Sequence, residues 1–155
     1  MAESDSAGER VIVLVPGEDV LLCQAVVPGQ KRRLLAQAVP YALEEQLVDD
    51  VEAQHFALGA MSGDRVNVAV VSHEKMQQWL TLLEQVGIEA DQIVADVLSR
   101  PLPEHSWQLV QLNNRLLLRS GEQSGMVLDE RYHKPERGFA GGYIMETSAS
   151  APDGT

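Results

Sequence analysis

Aromatic residues are scarce, at 5% of the chain, and cysteine occurs once. A core built with so few aromatics must be aliphatic, from Val, Leu, Ile and Ala. A single thiol excludes an internal disulfide and any cysteine-based zinc site. Cys23 lies in the apolar run from Val20 to Val27 with no cation near it in sequence, so it reads as a small core hydrophobe and not as a nucleophile. Cations are few as well: 12 Lys plus Arg stand against 23 Asp plus Glu, a net charge of -11. Phosphate contacts need the opposite balance, which argues against nucleic acid as a partner and disfavours an anionic membrane surface. No apolar run approaches the ~18 residues that span a bilayer. The N-terminus, Met1-Ala2-Glu3-Ser4-Asp5-Ser6, is acidic and lacks the basic and apolar regions of a signal peptide. These absences predict a cytoplasmic protein whose acidity suits a basic partner.

Chemistry is missing too. No Gly-Lys pair and no G-x-G-x-x-G occurs, so neither phosphate-binding loop is present. His73-Glu74 opens like a zinc-protease motif, but position 77 is Gln and the second ligand is absent. In Gly121-Glu122-Gln123-Ser124-Gly125 the serine stands one place too late for a nucleophile elbow. His55, His73, His105 and His133 show no i,i+4 pairing and read as surface or internally satisfied side chains. We expect no catalytic, cofactor-binding or metal-binding residue.

What is present is a regular succession of short elements over 155 residues, enough for one medium domain. Val11–Val15 is a continuous apolar run, predicted to be a strand buried on both faces. Pro16-Gly17-Glu18 turns the chain, and Val20–Val27 follows as its hairpin partner. A long helical pattern opens near Gln30 and is interrupted by Pro40, where a kink or break is expected. Its distal half, Tyr41 to Glu52, carries five carboxylates and no cation. Strands are predicted over His55–Leu58 and Val66–Val71, with Gly59–Asp64 as a loop between them. Ser72 is placed to cap a helix whose apolar face is Met76, Trp79, Leu80, Leu83 and Val86, and Gly87 to end it. Ile88–Val97 returns as a strand. The block reads β-β-α-β-β-α-β, which implies a crossover connection and a mixed sheet. After two prolines at 101 and 103, three strands over 107–112, 115–119 and 126–128 make a meander, with Asn113-Asn114 as its first turn.

Several of these segments resemble the type II secretion system protein L (GspL) family. One is Val11 to Leu22. Another is Arg32 to Glu52 with His55-Phe56-Ala57, where the pattern Pro40-Tyr41-x-Leu43-Glu44-Glu45, then Asp50-Val51-Glu52, then His55-Phe56, is specific. Asp96-Val97-Leu98 and Gln123 to Asp129 are also similar, so the resemblance covers about residues 10–131. It implies an α/β, actin-like fold of RNase H-like halves, and a scaffold that acts on no nucleotide and needs no cofactor. The family holds the secretion ATPase, protein E, at the cytoplasmic face of the bacterial inner membrane, and contacts protein M through its membrane and periplasmic parts.

The domain organisation expected on this basis is a polar leader over 1–9, a first α/β subdomain over 10–98, the meander that starts a second RNase H-like sheet over 99–131, and an irregular tail over 132–155. Strands before Val11, further cytoplasmic sequence, a transmembrane helix and a periplasmic domain are missing relative to the family, which suggests a fragment incomplete at both ends. An exposed sheet edge is then open to a second copy, as in a homodimer, and the meander is expected to lack cover on its apolar face. Glu44, Glu45, Asp49, Asp50 and Glu52 are the candidate partner-binding residues, a strip offered to a basic surface. Two alternatives stay open: an actin-like pilus-assembly protein that binds nucleotide, and a small α/β enzyme whose site joins residues far apart in sequence.

Overall fold

The structure, a computed structural model, describes residues 8–29, 31–100, 102, 107–112, 115–129 and 144–145. Its elements follow the predicted order. Strand β1 (Ile12–Val15) and β2 (Leu21–Val26) precede helix α1 (Leu35–Leu43). Then come β3 (Gln54–Ser62), β4 (Arg65–Ser72), helix α2 (His73–Gln85) and β5 (Gln92–Ala95). The meander is β6 (Gln108–Leu112), β7 (Arg115–Gly121) and β8 (Ser124–Asp129), joined by a short β9 (Ile144–Met145). The rest of the predicted leader and tail, and the Asn113-Asn114 turn, lie outside the described residues.

Pairing departs from the expected hairpin. β1 runs parallel to β5, with Val15 opposite Ala95, while β2 pairs antiparallel with β4. Residues Gly17–Asp19 form a 3-10 turn, in which Val20 N–H donates to the Gly17 carbonyl at 3.2 Å. That turn carries the chain to another sheet instead of folding it back. β1 is therefore not buried on both faces: Ile12 and Leu14 are each 52% exposed, on the face opposite the buried Val15, and among the described residues its sheet has two strands. Parallel and antiparallel pairing both occur, in separate sheets.

The antiparallel sheet, ordered β2-β4-β3, is the base of the first core. Ala25, Val66, Val68 and Val70 face α1, which buries Leu35, Val39 and Leu43 at i, i+4 and i+8. Burying each such side chain is worth about 1.5–3 kcal/mol, so three outweigh the ~3 kcal/mol cost of an interior proline. Pro40 accordingly lies inside α1 and does not break it. The expected helix instead stops at Leu43. Beyond it stand a 3-10 turn over Glu44–Gln46, an irregular stretch and a second 3-10 turn over Val51–Ala53. A run of carboxylates at a helix C-terminus opposes the helix dipole, and Glu45 and Asp49 would repel at i,i+4.

β3 extends through most of the predicted loop. It bulges between Leu58 and Met61, and the reversal is the pair Gly63-Asp64, with Gly63 at φ +61°. Ser72 caps α2 as predicted, its Oγ accepting from Lys75 N–H at 3.1 Å. Gly87 ends that helix at φ +70°. Its N–H reaches Glu84 O at 3.1 Å and the Ile88 N–H reaches Leu83 O at 2.9 Å, the paired bonds of a Schellman stop. The predicted strand over 88–97 shortens to β5, and Asp96–Leu98 form a 3-10 turn after it.

The meander does not lack cover. Val110, Leu117 and Val127 pack with Ala95 and Val97, and with Leu22 of β2 and Val20 just before it, in a second core. Gly125 allows β8 to lie close: a Cβ there would stand 2.8 Å from the Leu118 carbonyl and 3.1 Å from Val97.

Candidate docking surface and the closed strand-end crevice

Two carboxylate-rich regions flank the first module, and they differ in kind. The first is the predicted strip. Glu44, Glu45, Asp49, Asp50 and Glu52 are all exposed, on irregular chain and 3-10 turns rather than on a helix. Among the described residues none of them joins an ion pair. Asp49 accepts a long 3.4 Å hydrogen bond from Gln54 Nε2. Two apolar side chains stand among them: Tyr41, 72% exposed, and Val48, fully exposed. Leu47 turns inward against the first core and anchors the segment. A cleft of about 510 Å³ separates this segment from the β1–β2 turn, with Asp49 and Leu47 on one wall and Asp19, Leu21 and Lys75 on the other. Lys75 is already engaged by Asp19 at 3.9 Å.

The second region lies at the carboxyl ends of β1 and β5. In open α/β sheets, ligands occupy the crevice beyond the carboxyl ends of parallel strands. Here that place is taken by the protein itself. Asp96, just past β5, accepts from the Gly17 N–H at 2.9 Å through Oδ1. Its Oδ2 meets Arg115 Nη2 of β7 at 2.9 Å, and the same nitrogen pairs with Glu18. Gly17 is needed for this approach, since a Cβ would stand 2.8 Å from Val97 and 2.9 Å from Asp96 Oδ1. Partial burial pushes the Glu18 carboxyl up, but the Arg115 hydrogen bond, a backbone hydrogen bond and the Arg115 charge together hold it below its usual range. Arg115 is raised, chiefly by the hydrogen bond to Glu18 against the pull of burial, with Asp96 adding to it.

A second arginine closes the other end of the turn. Arg119 is buried, and its guanidinium donates to four carbonyls: Gly121 at 3.1 Å, Glu122 at 2.7 Å, Leu98 at 3.3 Å and Arg100. It binds the chain after β5 to the β7–β8 turn. Desolvation lowers its pKa, with Glu122 acting the other way. Gln123 adds a further tie, its Oε1 accepting from Ala60 N–H of the β3 bulge at 3.2 Å. Sequence reasoning missed all of these contacts. The available signal was two arginines flanking Leu116–Leu118 inside an apolar strand, where a cation must find partners. Cys23 is half-buried and desolvation raises its pKa, in keeping with a packing role.

The model of the family described as type II secretion system (T2SS), protein L, matches residues 3–135. The chain belongs to that family. It is 36% identical over 122 residues to the type II secretion system protein L of Dickeya chrysanthemi, covering 79% of this chain and 31% of that protein. It is 34% identical over 134 residues to the protein L of Pseudomonas aeruginosa, covering 81% of this chain and 35% of that one. The chain thus spans about a third of the length of the curated relatives it matches. Among solved structures, it resembles the cytoplasmic domain of EpsL, an inner-membrane component of the type II secretion system of Vibrio cholerae. The TM-score is 0.73 at 28% identity, over 82% of this chain and 53% of that domain. The fold is therefore the α/β, actin-like fold of that cytoplasmic domain. Among the described residues no helix is long and apolar enough to cross a membrane.

Proposed function

We propose that this chain serves as a non-enzymatic scaffold of the type II secretion inner-membrane platform, at its cytoplasmic face, and recruits the secretion ATPase, protein E. The observation that carries the reading is the exposed segment Tyr41–Glu52. It presents five carboxylates with no internal cation beside two exposed apolar side chains. Each exposed ion pair contributes only ~0–1 kcal/mol, so Tyr41 and Val48 supply the affinity and the carboxylates steer encounter and orientation. Protein M is a further partner in this reading. The strand-end crevice supports the non-enzymatic part. Its amide is taken by Asp96, its cation is shared between two carboxylates, and further negative charge would be repelled there.

The test is binding of the ATPase N-terminal domain to this chain and to a variant with Glu44, Glu45, Asp49, Asp50 and Glu52 changed to Lys, across a range of salt. The expected result is a loss of about tenfold or more at low salt that shrinks as salt screens the surface. Equal affinity of the two proteins at low salt rules out the strip. No binding by the unaltered chain at any salt rules out recruitment.

A further inference from the structure

We propose that His55 and His73 form a two-imidazole site for a borderline divalent cation of the zinc, nickel or copper class. Sequence spacing gives no hint of it, since the residues are neither i,i+2 nor i,i+4 partners. The pairing of β3 with β4 puts His55 opposite Val71, and His73 follows two residues later as the first residue of α2. His73 lies past the end of β4, so it is the start of α2 beside β3, not strand alternation, that brings the two rings together. The ring centroids stand 6.2 Å apart with the planes at 64°. With Zn–N bonds of about 2.0–2.1 Å, two imidazoles on one tetrahedral ion hold their centroids roughly 5 Å apart. His73 is exposed, so a modest side-chain rotation closes the difference. Imidazole selects zinc, nickel and copper over magnesium and calcium, which prefer oxygen. Among the described residues no three of His, Cys, Asp and Glu converge, so water completes the coordination. The site stands apart from the docking reading and does not depend on it.

Calorimetric titration of the tag-free chain with zinc chloride and with nickel chloride tests this, with magnesium chloride as control at physiological salt. One ion per chain is expected for zinc and nickel. Removing one of two protein ligands, by His73→Ala or His55→Gln, should weaken binding about tenfold or more. Three outcomes overturn the site: zinc binding no stronger than magnesium binding, which would reflect the acidic surface alone, binding unchanged by His73→Ala, or no binding. His73 is exposed at the helix start, so that variant keeps its fold, and far-UV circular dichroism checks it.

Discussion

The strip over 44–52 and the crevice at Glu18 and Asp96 are built from the same side chains, yet they behave as opposites. In the crevice, each carboxylate has a guanidinium or an amide donor and part of its surface is buried. In the strip, five carboxylates face solvent, with no ion pair among the described residues. A paired, half-buried charge works for the fold, since removing its partner leaves it desolvated and alone. An unpaired surface charge contributes little to the fold and is free to act on another molecule. The difference lies in what the tertiary structure sets beside the group, not in the group.

The contrast breaks hardest at Arg115. Replacing it with alanine leaves Glu18 and Asp96 facing each other without a cation, and we expect a loss of roughly 2–3 kcal/mol in urea unfolding, below the full penalty of a buried pair because the cluster is partly solvated. An unchanged denaturation midpoint would remove the distinction between the regions. A smaller effect is expected from acid. Glu18 has a folded pKa held below its unfolded value, so its contribution is present above the unfolded pKa and fades as pH falls through the folded one. Stability of the native chain should therefore drop below the usual carboxylate range by more than that of Arg115→Ala, as read from unfolding midpoints between neutral and acid pH. Parallel curves for the two proteins would contradict the coupling. The smallest effect belongs to the strip. Glu45→Gln with Asp50→Asn should shift unfolding by no more than about 0.5 kcal/mol. A shift of several times that size would mean the strip has structural partners after all.

Much of the local structure was legible. Ser72 and Gly87 mark the ends of α2 because a hydroxyl acceptor and a left-handed residue satisfy backbone groups within one turn of themselves. The meander was readable from its short apolar runs and the turn signals between them. The end of α1 was not. The helical pattern continues from Tyr41 to Glu52, but the carboxylates within it oppose a helix, and α1 ends at Leu43. The candidate strip kept its residues and its exposure but lost its helical geometry. The arginines within the apolar strand β7 hinted that partners were needed, but nothing local said which: Gly17 and Asp96 are 79 residues apart, and Glu18 and Arg115 are 97 apart.

The sequence by itself determined the family, the order of elements, the aliphatic core and the surplus of negative charge, because each is a property of composition or of neighbours along the chain. Tertiary structure decided that β1 lies beside β5, that Arg115 pairs with both Asp96 and Glu18, and that His55 meets His73. Those outcomes depend on strand register and sheet order. They are settled only when distant segments bury their apolar faces together, and no short window of residues contains that information.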